Sequence, residues 1–305
     1  MKKILLIIAI ISLISCKNNT SNTEGSKKLQ VVTTTSMITD LVENIGGDYI
    51  DIEGLMGAGV DPHLYKASEG DVAKLYQADV IFYNGLHLEG KLVEVFEKMG
   101  EQQQKVIGLG EFLDKNELIG SEYFASNYDP HVWFNIQFFK QFATKVTEVL
   151  SEADAKNAKH YQENNLVFQK KLDTLENEIK AIIESLPKEK RVLVTAHDAF
   201  NYFGKAYGFN VVGLQGISTA TEAGVQDVQR LSDFIIKNKV KAIFIESSVP
   251  RRTIEALEAA VLDKGHEVKI GGTLYSDALG NAGSVEGTYV GMFAYNVKTI
   301  VEALR

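Results

Sequence analysis

The tripeptide Asp-Pro-His occurs twice, in "VDPHLYKAS" (60–68) and "YDPHVWFN" (128–135), and takes up two of the four prolines in 305 residues. Proline fixes its own φ and drives the residue before it to an extended conformation, so each copy is a stiff loop that presents one imidazole, His63 or His131, in a set direction. Taken alone, the pair is equally explained by two coincidental turns. A third histidine, His197, closes the run "RVLVTAH", and ligands of open α/β sheets gather beyond the carboxyl ends of strands. One histidine in such a place is ordinarily a hydrogen-bonded structural residue. Three, from separate segments, point to a metal, because imidazole is the commonest protein ligand for late first-row ions. A divalent ion also calls for negative charge, and the glycine-rich "GGTLYSDALGNAGS" offers Asp277, which by itself reads as a turn residue.

The elements that must position these groups are legible as short apolar runs alternating with helical patterns. The first set is 30–34, 49–55, 78–83 and 105–107; the second is 191–196, 209–214, 241–245 and 267–270. Continuous Val/Ile/Phe runs suit strands buried on both faces, and the helices between them supply the crossovers that a parallel sheet requires. Two α/β lobes are therefore expected. Ser68-Glu69-Gly70-Asp71 reads as a capping box that starts one of the helices, and Asn135 opens another. Between the sets, 153–186 contains no Gly or Pro and ends at Pro187. Its second half carries Phe168, Leu172, Leu175, Ile179, Ile182 and Leu186 as one apolar stripe, predicting a long helix across both lobes rather than a coiled coil.

Composition bounds the function. With 45% apolar residues, 24% charged residues, net charge -8 and pI near 5.4, the chain is an ordinary globular protein without the basic character of a nucleic-acid binder. Lys2 and Lys3 precede the apolar run 4–14, which is too short to span a bilayer but the right size for a signal-peptide core. It ends in Leu13-Ile14-Ser15-Cys16, similar to the lipobox of bacterial lipoproteins, and Cys16 is the only cysteine. Lipidation of Cys16 would hold the chain at a membrane through acyl chains. The polar stretch 17–28 reads as a flexible tether.

Taken together, "TTTSMITDLVENIGGD", "GVDPHLYKASEGDVAKLYQADVIFYNGLHLEG", "DPHVWFN", "VTAHDAFNYFGKAYGF", "GLQGIS", "AIFIESSVP" and "GGTLYSDALG" resemble, in order, the zinc/manganese/iron solute-binding proteins of bacterial ABC importers, cluster A-I. The resemblance covers essentially everything from Leu29 onward. It implies two (β/α) lobes with four-stranded parallel-type sheets, joined by one rigid helix, and an ion held in the interlobe cleft by His63, His131, His197 and Asp277. It further implies a receptor rather than an enzyme, placed outside the cytoplasm and delivering its ion to a membrane permease whose ATPase lies across the membrane. A monomer is expected. The resulting division is signal segment 1–15, lipidated tether 16–28, N-terminal lobe 29–152, linker helix 153–186 and C-terminal lobe 187–305.

Three imidazoles and one carboxylate are more nitrogen-rich than manganese prefers, which favours zinc over manganese, with ferrous iron also compatible. His197 stands where manganese-associated members of the resembled family often carry Glu; against this, 101–129 lacks the histidine-rich loop of many zinc receptors. His87 matches a family segment that is not a ligand and is expected to be structural and close to the site. His160 and His266 are expected to be solvated, Trp133 to pack beneath His131, and Asp198 or Glu246 to receive the second N–H of a bound imidazole. Affinity is expected to fall as pH drops through about 6.5. Release is expected to begin with Asp277 on a mobile loop. The competing readings are an envelope-anchored zinc hydrolase, which would keep an open metal position, and an adhesin-type lipoprotein with incidental metal binding.

Overall fold

The structure, a computed structural model, describes residues 27–122 and 124–305. The signal segment 1–15, Cys16 and the tether as far as residue 26 lie outside the described residues. Among the described residues eight strands alternate with helices, and the strands pair in parallel. In the first half β1 (Leu29–Thr33), β2 (Ile50–Gly54), β3 (Val80–Tyr83) and β4 (Lys105–Gly108) form one sheet in the order β2-β1-β3-β4. In the second half β5 (Val192–Thr195) pairs with β6 (Asn210–Gly213), and β7 (Ala242–Glu246) pairs with β8 (Lys269–Leu274). The expected second four-stranded sheet is thus two parallel ladders, with β5 and β7 packed side by side. β8 runs beyond the predicted end of its strand because Gly271 is an extra residue: Ile243 faces Ile270 but Phe244 faces Gly272. A side chain at Gly271 would meet Ala303 Cβ at 2.7 Å and Phe244 Cε1 at 2.8 Å, so the strand continues there only as glycine.

The central strands β3, β5 and β7 are buried on both faces, as their unbroken apolar sequence requires, whereas the edge strand β2 alternates and exposes Asp51 and Glu53. Val31, Val80, Phe82, Leu193, Ala242 and Phe244 point into one core that runs through both halves, while their neighbours Val32 and Ile81, or Val194, Ile243 and Ile245, enter separate cores belonging to one half each. The shared core is built on α5 (Ala158–Glu184), which packs on α1 (Ser36–Gly46) and α4 (Ile136–Ala153) from the first half and on α9 (Tyr289–Leu304) from the second. At about 1.5 Å per residue its 27 residues span about 40 Å. Phe168, Leu172, Leu175, Ile179 and Leu186 are buried as predicted, but Ile183 takes the place expected for Ile182, which is only partly buried. The helix starts at Ala158 rather than Ala153 because Asp154 leaves helical geometry and accepts hydrogen bonds from Asn157 Nδ2 (2.7 Å) and Tyr161 Oη (2.8 Å). At the other end the Arg191 guanidinium donates to the carbonyls of Ile183, in the last turn, and of Leu186, just beyond it.

Both predicted caps form. Ser68 and Asp71 close the capping box of α2 (Glu69–Gln77), and Asn135 accepts the Gln137 N–H at the start of α4.

The two halves also meet at Asp40 of α1, whose buried carboxylate accepts the Tyr289 N–H at the start of α9 (3.0 Å). Burial pushes this carboxyl up to about 6, against the pull of that hydrogen bond. A folded-state value above the unfolded one means that the stability Asp40 contributes is complete below about 4 and is lost as pH rises through about 6. The variant Asp40→Asn cannot ionise. Urea denaturation should therefore show its stability relative to the natural chain rising by about 3 kcal/mol between pH 4 and pH 8. A difference independent of pH would refute the assignment.

Candidate metal centre

The carboxyl ends of the parallel strands face one another across the interface between the halves, and the predicted ligands sit just beyond them. His63 follows β2 on the loop that leads to α2, and His131 immediately precedes the turn Val132–Phe134 that leads into α4. From the other side come His197, after β5, and Asp277, after β8. Their potential ligand atoms all lie within 4.8 Å of one another, and all four residues are buried, His131 and His197 completely.

The Nε2 atoms of His63 and His131 are 3.3 Å apart. Asp277 places Oδ2 3.2 Å from His197 Nε2 and 3.9 Å from His63 Nε2, and Oδ1 3.6 Å from His131 Nε2. Ligands about 2.0–2.1 Å from a tetrahedral centre stand about 3.3 Å apart, so the spacing suits a small ion among them. Both carboxylate oxygens of Asp277 are buried, and the groups nearest to them are the three imidazoles. A buried anion is costly unless a cation compensates it, here either the protonated His197 or a metal ion that displaces its proton.

Carboxylates behind two of the rings set which nitrogen faces the centre. Asp129 Oδ1 lies 2.7 Å from His131 Nδ1 and accepts the His131 N–H at 2.9 Å. Glu246 Oε1 accepts the His197 N–H (2.8 Å), and its Oε2 approaches His197 Nδ1 at 2.6 Å without hydrogen-bond alignment, acting there as charge. In both rings the proton belongs on Nδ1, which leaves Nε2 to the ion. Of the two carboxylates named from the sequence, Glu246 is the one beside a ring nitrogen, as a charge 2.6 Å from His197 Nδ1. Asp198 instead accepts the Gly213 N–H (2.6 Å), an approach so close that a side chain at Gly213 would lie 2.5 Å from Asp198 N.

These environments separate the histidines electrostatically. Burial, reinforced by the neighbouring imidazoles, lowers His63 to about 3 against the pull of Asp277. For His197 burial also acts downward, but Glu246 and Asp277 outweigh it and raise the group well above its ordinary value. Burial would raise Asp277; the His197 charge and the other two imidazoles hold it well below the usual carboxylate range instead.

Among the other residues singled out, Trp133 packs edge-on to His131 at 5.2 Å and, beyond that, donates Nε1–H to the Ser276 carbonyl across the interface (3.0 Å). Leu279 N–H is held by Ser36 Oγ of the first half (2.8 Å). The segment carrying Asp277 is thus pinned on both sides, contrary to the mobile loop expected from its glycines. His87 is exposed, with positive φ, and faces Phe124, whose ring also lies edge-on to His63. His160 stacks on Tyr49 at 4.2 Å, and His266 is only partly exposed. The residue that sequence reasoning passed over is Asp129, and its signal was the aspartate repeated with each Pro-His.

Comparison with known proteins identifies the family. The family model described as "Zinc-uptake complex component A periplasmic" matches residues 31–303. The manganese-binding lipoprotein MntA of Bacillus subtilis is 45% identical over 300 residues, covering 98% of this chain and 97% of the relative. The zinc-binding protein TroA of Treponema pallidum is 48% identical over 274 residues, covering 90% and 88%. A solved structure of the periplasmic zinc binding protein TroA from Treponema pallidum superposes with a TM-score of 0.88 at 48% identity, covering 91% of this chain and 99% of that one. By this match over nearly its whole length, the chain belongs to the zinc-uptake complex component A family of periplasmic proteins.

Proposed function

We propose that this protein is an extracytoplasmic solute-binding lipoprotein that captures one divalent transition-metal ion and delivers it to the permease of an ABC importer. The observation that carries the reading is the buried Asp277 carboxylate facing three imidazole Nε2 atoms, with the potential ligand atoms all within 4.8 Å of one another. His63, His131, His197 and Asp277 are the ligands in this proposal, and one chain supplies all of them. Support for the division into lobes 29–152 and 187–305 joined by 153–186 comes from the two sets of parallel strands and the single helix that packs on both. The signal segment 1–15 and lipidation of Cys16 rest on the N-terminal sequence and on the lipoprotein name carried by the Bacillus subtilis relative.

The names of the relatives, one manganese-binding and one zinc-binding at nearly equal identity, do not choose the ion. Ligand chemistry favours zinc: the set is rich in nitrogen, and the Irving-Williams order places zinc above manganese at such a site. Both oxygens of Asp277 are turned inward, which leaves room for the higher coordination that manganese accepts. A hydrolase would keep an open metal position for water, whereas four buried donors close this one.

Calorimetric titration of the chelator-stripped, full-length chain tests the reading. One zinc ion per chain is expected, with manganese binding more weakly, and His63→Ala or His131→Ala abolishing tight binding. Failure of zinc, manganese and ferrous iron alike to bind would overturn it.

A further inference from the structure

The two Asp-Pro-His copies share a turn but not a purpose. In each, the aspartate Oδ1 accepts the histidine N–H two residues on, at 2.9 Å. Asp129 then turns to the ring of its own histidine, and its Oδ2 accepts from Asn201 Nδ2 at 3.0 Å. Asp61 leaves the His63 ring alone and reaches across the cleft, where its Oδ2 accepts the Thr219 Oγ1–H at 2.6 Å. Thr219 is itself nearly buried and lies in 214–224, a segment without helix or strand between β6 and α7 (Val225–Asn238). That segment borders a cavity of about 640 Å³ whose lining also includes Phe124, Asp198 and Asn201.

The remaining ligands are secured in other ways: His131 by Asp129, His197 by Glu246, and Asp277 by the Trp133 and Ser36 hydrogen bonds on either side of it. Among the described residues the His63 ring makes its only hydrogen-bond contact with His131, a fellow ligand. The turn that carries His63 is held to the second half through Asp61. We propose that the Asp61–Thr219 hydrogen bond is the latch that closes the cleft over the captured ion, making Thr219 a positioning residue that sets the rate of ion release without touching the ion. The inference rests on the capture function proposed above. Opening this bond unties the His63 turn from the 214–224 segment, whose hydrogen bonds to β5 and Asp198 remain, and lets water reach the ion on its least secured side.

The test loads the full-length chain with Zn2+, mixes it with excess chromophoric chelator and follows release by stopped flow. A short hydrogen bond to a carboxylate supports an effect of about tenfold or more. Thr219→Val, which keeps the shape and removes the hydroxyl, should therefore release Zn2+ about tenfold faster or more. Its association rate and one-to-one stoichiometry should stay within about twofold. Thr219→Ser should restore slow release, and Thr219→Ala should repeat the Val result. In an Asp61→Ala background, Thr219→Val should add no more than about twofold, because the bond is already gone. Release at the natural rate by a zinc-binding Thr219→Val chain would overturn the latch, as would an undiminished effect in the Asp61→Ala background. Absence of zinc binding by the natural chain would overturn the capture function instead.

Discussion

Replacing Asp277 by Ala is expected to weaken Zn2+ binding by about a hundred- to several-thousand-fold, equivalent to about 3–5 kcal/mol. The four groups are buried together, so the ion gives up its water to them, and Asp277 is the only anion among them. Removing it leaves a divalent charge in a dry site facing three neutral imidazoles. The penalty is that of stranding a buried charge, and the loss of a single contact is the smaller part. Asp277→Asn should therefore behave like Asp277→Ala to within about tenfold, since it keeps the shape and loses the charge. Competition against a chelator of known affinity measures both. Affinity within tenfold of the natural chain for Asp277→Ala would remove Asp277 from the ligand set and, with it, the physical basis of the proposed site.

Affinity for Zn2+ is expected to rise with pH through the neutral range, with a proton released from His197 as the ion binds. The sign follows from the ion-free site. Glu246 and Asp277 raise His197 well above its ordinary value, so at neutral pH its Nε2 carries a proton that the metal must displace. His63, lowered to about 3, is neutral throughout this range and releases none. The expectation from unperturbed histidine placed the loss of affinity near pH 6.5; the carboxylates around His197 move the window upward. Glu246→Gln removes one of them and should flatten the dependence, beginning at its alkaline end. Calorimetry in two buffers of different ionisation enthalpy counts the protons. No proton release at pH 7 would contradict the charge state assigned to His197.

Period and punctuation carried much of the fold into the sequence. Short apolar runs marked the strands, most plainly the central β3, β5 and β7, because a strand covered on both faces has no polar side to interrupt it. The capping box at Ser68 and the cap at Asn135 were legible because a helix start depends on a few residues in one turn. Where neighbours in space decide, the reading slipped. Ile183 rather than Ile182 faces the core because α9 and α4 determine which side of the helix is covered. The helix break at Asp154 carries no Gly or Pro, and the strand through Gly271 passes a residue type that ordinarily ends one.

At the site the sequence by itself determined which residues are available: imidazoles on stiff Asp-Pro-His turns, one at a strand end, and a carboxylate after the last strand. These are properties of residue types and near neighbours, and they act over a few bonds. Only the tertiary structure decided what the groups do to one another. It placed Asp129 and Glu246 behind two rings, turned Asp61 away from its own histidine toward Thr219, and pinned the Asp277 segment with Trp133 and Ser36. It also gave His63 and His197 opposite shifts. The reason is that hydrogen bonds and charge in a dry interface depend on distances of a few ångströms between segments as many as 249 positions apart in the chain, and no local pattern records those distances.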